Sequence, residues 1–250
     1  MSARQTETSP VKYARIAGFL YLVIIVFGIF SEVFVRSRLI VTGDAAATAS
    51  NILASPGLFR IGFAADAIML LCDVAIAVLF YVLFRPVSKT LSLTAAAFRL
   101  TQAAILGFNL LNYYAALLLL NGNEYAATFA AGQVSALALL FLDLHRHGYD
   151  LGLLFFGLSN LFLGYLVVRS TFLPRMLGYG LIAAAVVYLV GTFTLFLFPP
   201  YAALISPMYV VPLIAELAFC LWLLFKGVSC SSDGQSTVSM NMTHEPTSSR

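Results

Sequence analysis

Charge is what this chain has least of. Only 10% of its 250 residues are Asp, Glu, Lys or Arg, where an ordinary soluble domain carries about a quarter. That excludes a water-soluble globule, because too little polar surface exists to coat one. Cysteine is also scarce: Cys72 and Cys220 fall inside apolar runs and Cys230 lies near the end, with no CxxC or zinc spacing, so neither a disulfide framework nor a structural zinc is expected. A Walker loop, a nucleotide-binding glycine fingerprint, an HExxH and a serine elbow are all missing. Their absence weighs against soluble-type catalysis and leaves the enzyme question open. No nucleic-acid partner and no cofactor are expected.

Hydrophobicity is abundant instead, at 61% of residues and a mean hydropathy of +0.93. The solvent this composition fits is lipid. A helix needs roughly 20 mostly apolar residues to cross a hydrocarbon core of about 30 Å. Runs of that length cover residues 16–35, 61–84, 91–120, 149–168, 176–198 and 208–225. They predict an all-α integral membrane bundle of six transmembrane helices, in contact with membrane lipids.

Basic residues resist translocation when they flank a span. With the N-terminus in the cytoplasm, Lys12, Arg15, Arg85, Lys89, Arg169, Arg175 and Lys226 all lie inside, and only Arg36, Arg38, Arg60 and Arg146 flank spans outside. Both termini are therefore expected in the cytoplasm. Residues 125–144 are apolar enough to suggest a seventh span, but counting them would reverse every later flank. They also carry Gln133, Ser135 and Asp143, with Leu137, Leu140, Phe141 and Leu144 at helical spacing. The expectation is a helix lying in the outer interface, with a re-entrant or seventh span as the alternative. With the Ala-rich loop between the first two spans, this makes two interfacial loop helices.

The first run follows a basic segment, but it is longer than a signal-peptide core and has no small-x-small cleavage site, so it is expected to remain as an anchor. Residues 1–12 read as a polar cytoplasmic N-terminus, 13–228 as one multipass domain, and 229–250, rich in Ser and Thr, as a disordered cytoplasmic tail. Arg60-Ile61-Gly62-Phe63 and Arg146-His147-Gly148-Tyr149 open spans two and four alike. A duplicated hairpin and a recurring interface anchor both account for that pattern.

Several motifs together carry a family resemblance. They are Gly43-Asp44-Ala45-Ala46-Ala47-Thr48-Ala49, Asn51-Ile52, Leu58-Phe59-Arg60, Cys72-Asp73-Val74, Phe98-Arg99-Leu100, Asn109-Leu110-Leu111-Asn112, Leu144-His145, Gly148-Tyr149 and Arg169-Ser170-x-Phe172-Leu173-Pro174. From about residue 12 to 228 the chain resembles the bacterial multipass membrane family known as domain of unknown function 4386. The resemblance implies a bacterial integral membrane protein of the plasma membrane. It implies no activity, cofactor or catalytic residue.

Charges at membrane depth cost roughly 2.5 to 3.5 kcal/mol each at a helix centre, so they are paired or functional. Counting 1.5 Å per residue from the basic flanks puts Asp73 about 18 Å in, and Arg99 and Glu216 about 15 Å in. Asp73 and Arg99 sit on antiparallel neighbours joined by a short turn. The trio reads either as a neutralised bridge that fixes packing, or as a pair plus a spare carboxylate able to carry a proton. Higher up, Asp66, Asn109 and Asn112 form a second tier, which either bonds across helices or lines an outer vestibule. Glu32, Asp143, His145, His147 and Asp150 mark the outer surface, with a weak case for a metal and a stronger one for surface ion pairs. Pro199, Pro200, Pro207 and Pro212 break the helices near the outer boundary, as a simple turn or as part of a substrate path. Three functions follow: a small transporter or permease-like protein using the polar core, a membrane protein handling lipid or quinone, and a non-catalytic regulator or partner subunit.

Overall fold

The computed structural model describes residues 10–122 and 127–228. The expected tail, 229–250, lies outside the described residues. Six helices are long and apolar enough to cross a membrane, and among the described residues there is no strand. The protein is a multipass membrane protein.

The first span is α1, Pro10–Ile29, prolonged by a π-helical turn, Phe30–Arg36, and a last short turn, Ser37–Leu39. A loop with Gly43 at φ +80° leads to α2, Ala45–Ala54, whose N-cap Asp44 accepts the Ala47 amide at 2.9 Å. That turn and cap account physically for the Gly43-Asp44-Ala45 motif. Pro56 opens α3, Pro56–Phe84, where its missing N–H costs nothing. Ser88 caps α4, Lys89–Leu120, after a tight turn. Then come α5, Ala131–Arg169, α6, Arg175–Leu197, three short helical turns over 199–209 that carry Pro199, Pro200 and Pro207, and α7, Val210–Phe225.

One expectation needs correction. Within the expected segment 125–144, of which 125 and 126 lie outside the described residues, residues 131–144 are neither a separate interfacial helix nor a seventh span, since they are the first part of α5, continuous with the fourth span. At 39 residues α5 is about 58 Å long, nearly twice the hydrocarbon thickness. Its early turns bury Ala138 and Leu142 in one cluster with Val35, Ile52 and Phe59. The polar run Asp143–His147 looks like a loop in sequence, yet the helix continues through it because α4 supplies partners. The Asn109 amide donates to the His145 carbonyl at 2.6 Å, and His145 Nδ1 lies 3.2 Å from the Asn109 carbonyl. Gly148 lets Asn109 come this close, since a Cβ there would overlap its side chain. Of the two expected loop helices, α2 is present as a separate helix.

The six spans form a ring in chain order. Each packs on the next, α1 on α3, α3 on α4, α4 on α5, α5 on α6 and α6 on α7, and α7 closes onto α1. Glycines set the closest approaches. A Cβ on Gly18 would lie 2.6 Å from the Leu224 backbone nitrogen, and Gly164 and Gly178 face each other backbone to backbone across α5 and α6. Small residues permit such approaches where lipid supplies no hydrophobic drive. Cys220 adds a thiol contact to the Gly18 carbonyl at 3.3 Å. Towards the end of the ring that carries Arg85, Lys89 and Arg169, the centre is filled by Tyr21, Phe80, Phe84 and Phe219 in edge and tilted ring contacts.

Candidate functional site

Asp73 lies on α3 and Arg99 on α4, and their side chains meet in the middle of the ring. Arg99 Nη2 is 2.6 Å from Asp73 Oδ1, and Arg99 Nε donates to the same oxygen at 2.9 Å. Both are almost fully buried, at 1% and 2% exposed. The guanidinium is also caged by rings, 4.9 Å from Phe156, 5.2 Å from Tyr21 and 5.8 Å from Phe80. Contacts of this kind are each worth roughly 0.5 to 2 kcal/mol. Gln102, one turn beyond Arg99, donates to Asp73 Oδ2 at 3.4 Å.

Glu216 of α7 is 7% exposed and makes no ion pair with Arg99. Its hydrogen-bond donor is neutral, the Asn160 amide of α5 at 3.0 Å. Tyr21 and Tyr188 flank it. The three charges therefore separate into a closed pair and a carboxylate held by neutral groups.

Between them lies a cavity of about 200 Å³. All six spans contribute to its wall: Ile24 and Gly28 from α1, Asp73 from α3, Gln102 from α4, Tyr149 and Phe156 from α5, Tyr188 from α6 and Glu216 from α7. On the cavity wall Gln102 Oε1 lacks a hydrogen-bond partner, and so, in the residues behind it, do Arg99 Nη1, the Tyr21 hydroxyl and Asn160 Oδ1. Buried polar groups rarely go unpartnered, so such a cluster marks a place where water or a solute completes the bonding.

The second tier divides. Asp66 turns to α1, where Arg36 Nη1 lies 2.7 Å from its Oδ2, while Arg36 Nε binds Glu32 at 2.7 Å. Asn112 donates to Asn109 at 3.0 Å, and the two line a separate space of about 310 Å³ with His147, Gly148 and Phe196. Asp66 does not line it. Among the residues expected on the outer surface, Asp143 pairs with Arg146 at 3.2 Å, both of them exposed. Among the described residues no three His, Cys, Asp or Glu side chains gather as a metal site would require.

Sequence reasoning overlooked Arg36, Gln102, Asn160 and the tyrosines. Gln102 was within reach, because it lies i,i+3 from Arg99 on one helix face, and Asn160 interrupts an apolar run as conspicuously as Glu216. Arg36 gave no such signal. Its inward aim depends on the π-helical turn, whose extra residue rotates the helix face. Arg36 also stands 5.8 Å over the Tyr149 ring, so the Arg36–Asp66 pair sits directly beyond one wall residue of the central cavity.

Residues 16–227 match the family described as domain of unknown function, DUF4386. An uncharacterised protein of Archaeoglobus fulgidus is 31% identical over 160 residues, which is 64% of this chain and 80% of that protein. The likeness thus extends to an archaeon. No solved structure matches the chain.

Proposed function

This chain belongs to the DUF4386 family, and on that premise we propose that it is a small transporter, a permease-like protein that carries a solute through the cavity at the centre of its ring. One observation carries the reading: a cavity of about 200 Å³ with walls from all six spans and with Asp73, Gln102 and Glu216 on its surface. A bundle built only for stability gains by filling its centre with apolar side chains, since voids and unpartnered polar atoms both cost free energy. A site reached by every span is also one that any relative tilt of the helices reshapes, which is what alternating access requires.

The roles divide with the geometry. Asp73 and Arg99 hold α3 to α4 and set the field of the site, and Glu216 is the group that exchanges charge with the solute. Arg36, Asp66 and Tyr149 close the cavity on one side, and the Tyr21–Phe80–Phe219 cluster closes it on the other. The membrane is the plasma membrane, and the basic end, with both termini, faces the cytoplasm. Two of the arginines at the opposite end, Arg36 and Arg146, are tied up in ion pairs, which supports that orientation.

The test is flux in liposomes reconstituted with the purified full chain, read as solute-induced current and uptake across panels of amines, amino acids, carboxylates and sugars. Wild type moves at least one class, and Glu216→Gln, inserted equally well, loses it. If no panel member moves faster than in protein-free liposomes, the transporter reading fails and a partner-subunit role takes its place.

A further inference from the structure

The walls of the central cavity carry three kinds of information about what fits there, and they agree. The first is charge. Asp73 and Arg99 neutralise each other at 2.6 Å, whereas the donor to Glu216 is the neutral Asn160 amide at 3.0 Å. An ionised Glu216 thus has no ion-pair partner of its own and feels only the more distant charge of Arg99, which Asp73 already engages, so an anionic solute would meet a carboxylate that this cation balances only in part.

The second is the aromatic wall beside that carboxylate. Phe156 and Tyr188 meet edge to face with ring centroids 5.3 Å apart, and Tyr188 and Tyr209 do the same at 5.9 Å. All three line the cavity with Glu216. Ring faces attract cations through their quadrupole, more strongly when water is excluded. Phe156 already does this for Arg99 at 4.9 Å.

The third is the way in. Helices α1 and α7 press together at Gly18 and Leu224, but further along, Ile29 of α1 and Leu213 of α7 both line the cavity while remaining 41% and 46% exposed on the outside of the bundle. Two apolar residues that belong both to the cavity wall and to the exposed set, one on each helix, point to an entry from the lipid-facing side between α1 and α7. A fully hydrated ion would have to shed its water against isoleucine and leucine. A cation carrying hydrocarbon would not.

We infer that the cavity takes an amphipathic organic cation, an alkylammonium with a compact head, admitted from the bilayer through a slot between α1 and α7. The head sits between Glu216 and the Tyr188–Tyr209 wall, and the alkyl part trails out past Ile29 and Leu213. A volume of about 200 Å³ suits a trimethylammonium-sized head and little more. This inference rests on the carrier reading for its purpose, but the binding site can be tested without flux.

The probe is radiolabelled octyltrimethylammonium, bound to the purified full chain in nanodiscs. Tetramethylammonium, octyl sulfate and octanol compete, and empty nanodiscs correct for partition into lipid. Saturable binding is expected, with tetramethylammonium weaker by about tenfold or more for want of the apolar part, and with no competition by octyl sulfate. Glu216→Gln keeps an acceptor for Asn160 yet should weaken binding by about tenfold or more. Leu213→Trp leaves the carboxylate in place and narrows the slot, so it should slow association severalfold even if Glu216→Gln proves poorly folded. Binding that is unchanged in both variants, or displaced equally by octyl sulfate, overturns the inference. Should the flux panels move a sugar or a carboxylate while no alkylammonium binds, the inference falls and the carrier stands. If the cation binds at Glu216 and nothing is transported, the site stands and the carrier reading falls.

Discussion

Arg36 Nη1 and Asp66 Oδ2 lie 2.7 Å apart, joining the end of the first span to the second across 30 residues of chain. The Asp66 side chain is 3% exposed and that of Arg36 11%, so the pair is shielded from water and screened little by salt. Removing one partner of such a pair leaves an unbalanced buried charge, at a cost of about 3 to 5 kcal/mol. Arg36→Gln should therefore lower the detergent unfolding midpoint strongly, and Arg36→Gln with Asp66→Asn should recover much of it. Equal losses in the single and double variants would show that the ion pair contributes nothing beyond packing.

The Asp73–Arg99 pair makes a parallel prediction with a functional readout. Arg99→Met alone strands Asp73 and should destabilise by about 3 kcal/mol or more. Arg99→Met combined with Asp73→Leu removes both charges and should restore the fold to within about 1 to 2 kcal/mol of wild type. Thermal unfolding in detergent measures both. If the double variant folds and keeps solute binding, the pair is a packing bridge. If it folds and loses binding, the pair also shapes the site.

Backbone contact between α5 and α6 rests on two facing glycines. Gly164→Val adds branched carbon where a single Cβ would already lie 2.7 Å from the Gly178 carbonyl. Overpacking of this kind costs about 1 to 3 kcal/mol, and more where backbone must move. The same change at Gly132, where a Cβ would meet nothing within 4 Å, should leave the unfolding midpoint within about 0.5 kcal/mol of wild type. A Gly164→Val protein as stable as wild type would contradict the closeness of that crossing.

Orientation can be read by cysteine labelling on intact cells. In a background with Cys72, Cys220 and Cys230 changed to Ser, Asn121→Cys sits at the end of α4 away from the basic flanks and Ser88→Cys in the turn beside them. A membrane-impermeant maleimide should label Asn121→Cys from outside and reach Ser88→Cys only after the cells are opened. The reverse pattern would invert the assigned topology.

The number of spans and their approximate ends were legible because each is a run of about 20 apolar residues, a property of composition along one stretch of chain that needs no partner. The loop helix Ala45–Ala54 was partly legible for a similarly local reason, its Ala-rich sequence, although its cap at Asp44 was not singled out. The second loop helix was misread. Whether Asp143–His147 ends a helix or continues one depends on Asn109, 36 residues away from His145 in the chain, and no window centred on the segment contains it.

For the site, depth was readable and partnership was not. Helical rise puts Asp73, Arg99 and Glu216 near one level from sequence alone. Which carboxylate the arginine takes depends on which helices are neighbours in the ring, and on the packing of Asn160 and Tyr188 from α5 and α6 that gives Glu216 neutral hydrogen-bond partners. Composition and hydropathy along the chain thus set the solvent of this protein, its six crossings and the presence of charge within the spans, since each follows from the free energy of placing a given stretch in hydrocarbon. The closing of α7 onto α1, the inward turn of Arg36 and the cavity were settled by the three-dimensional packing alone. Those are contacts between segments far apart in the chain, and their energies depend on distance in space rather than on order in sequence.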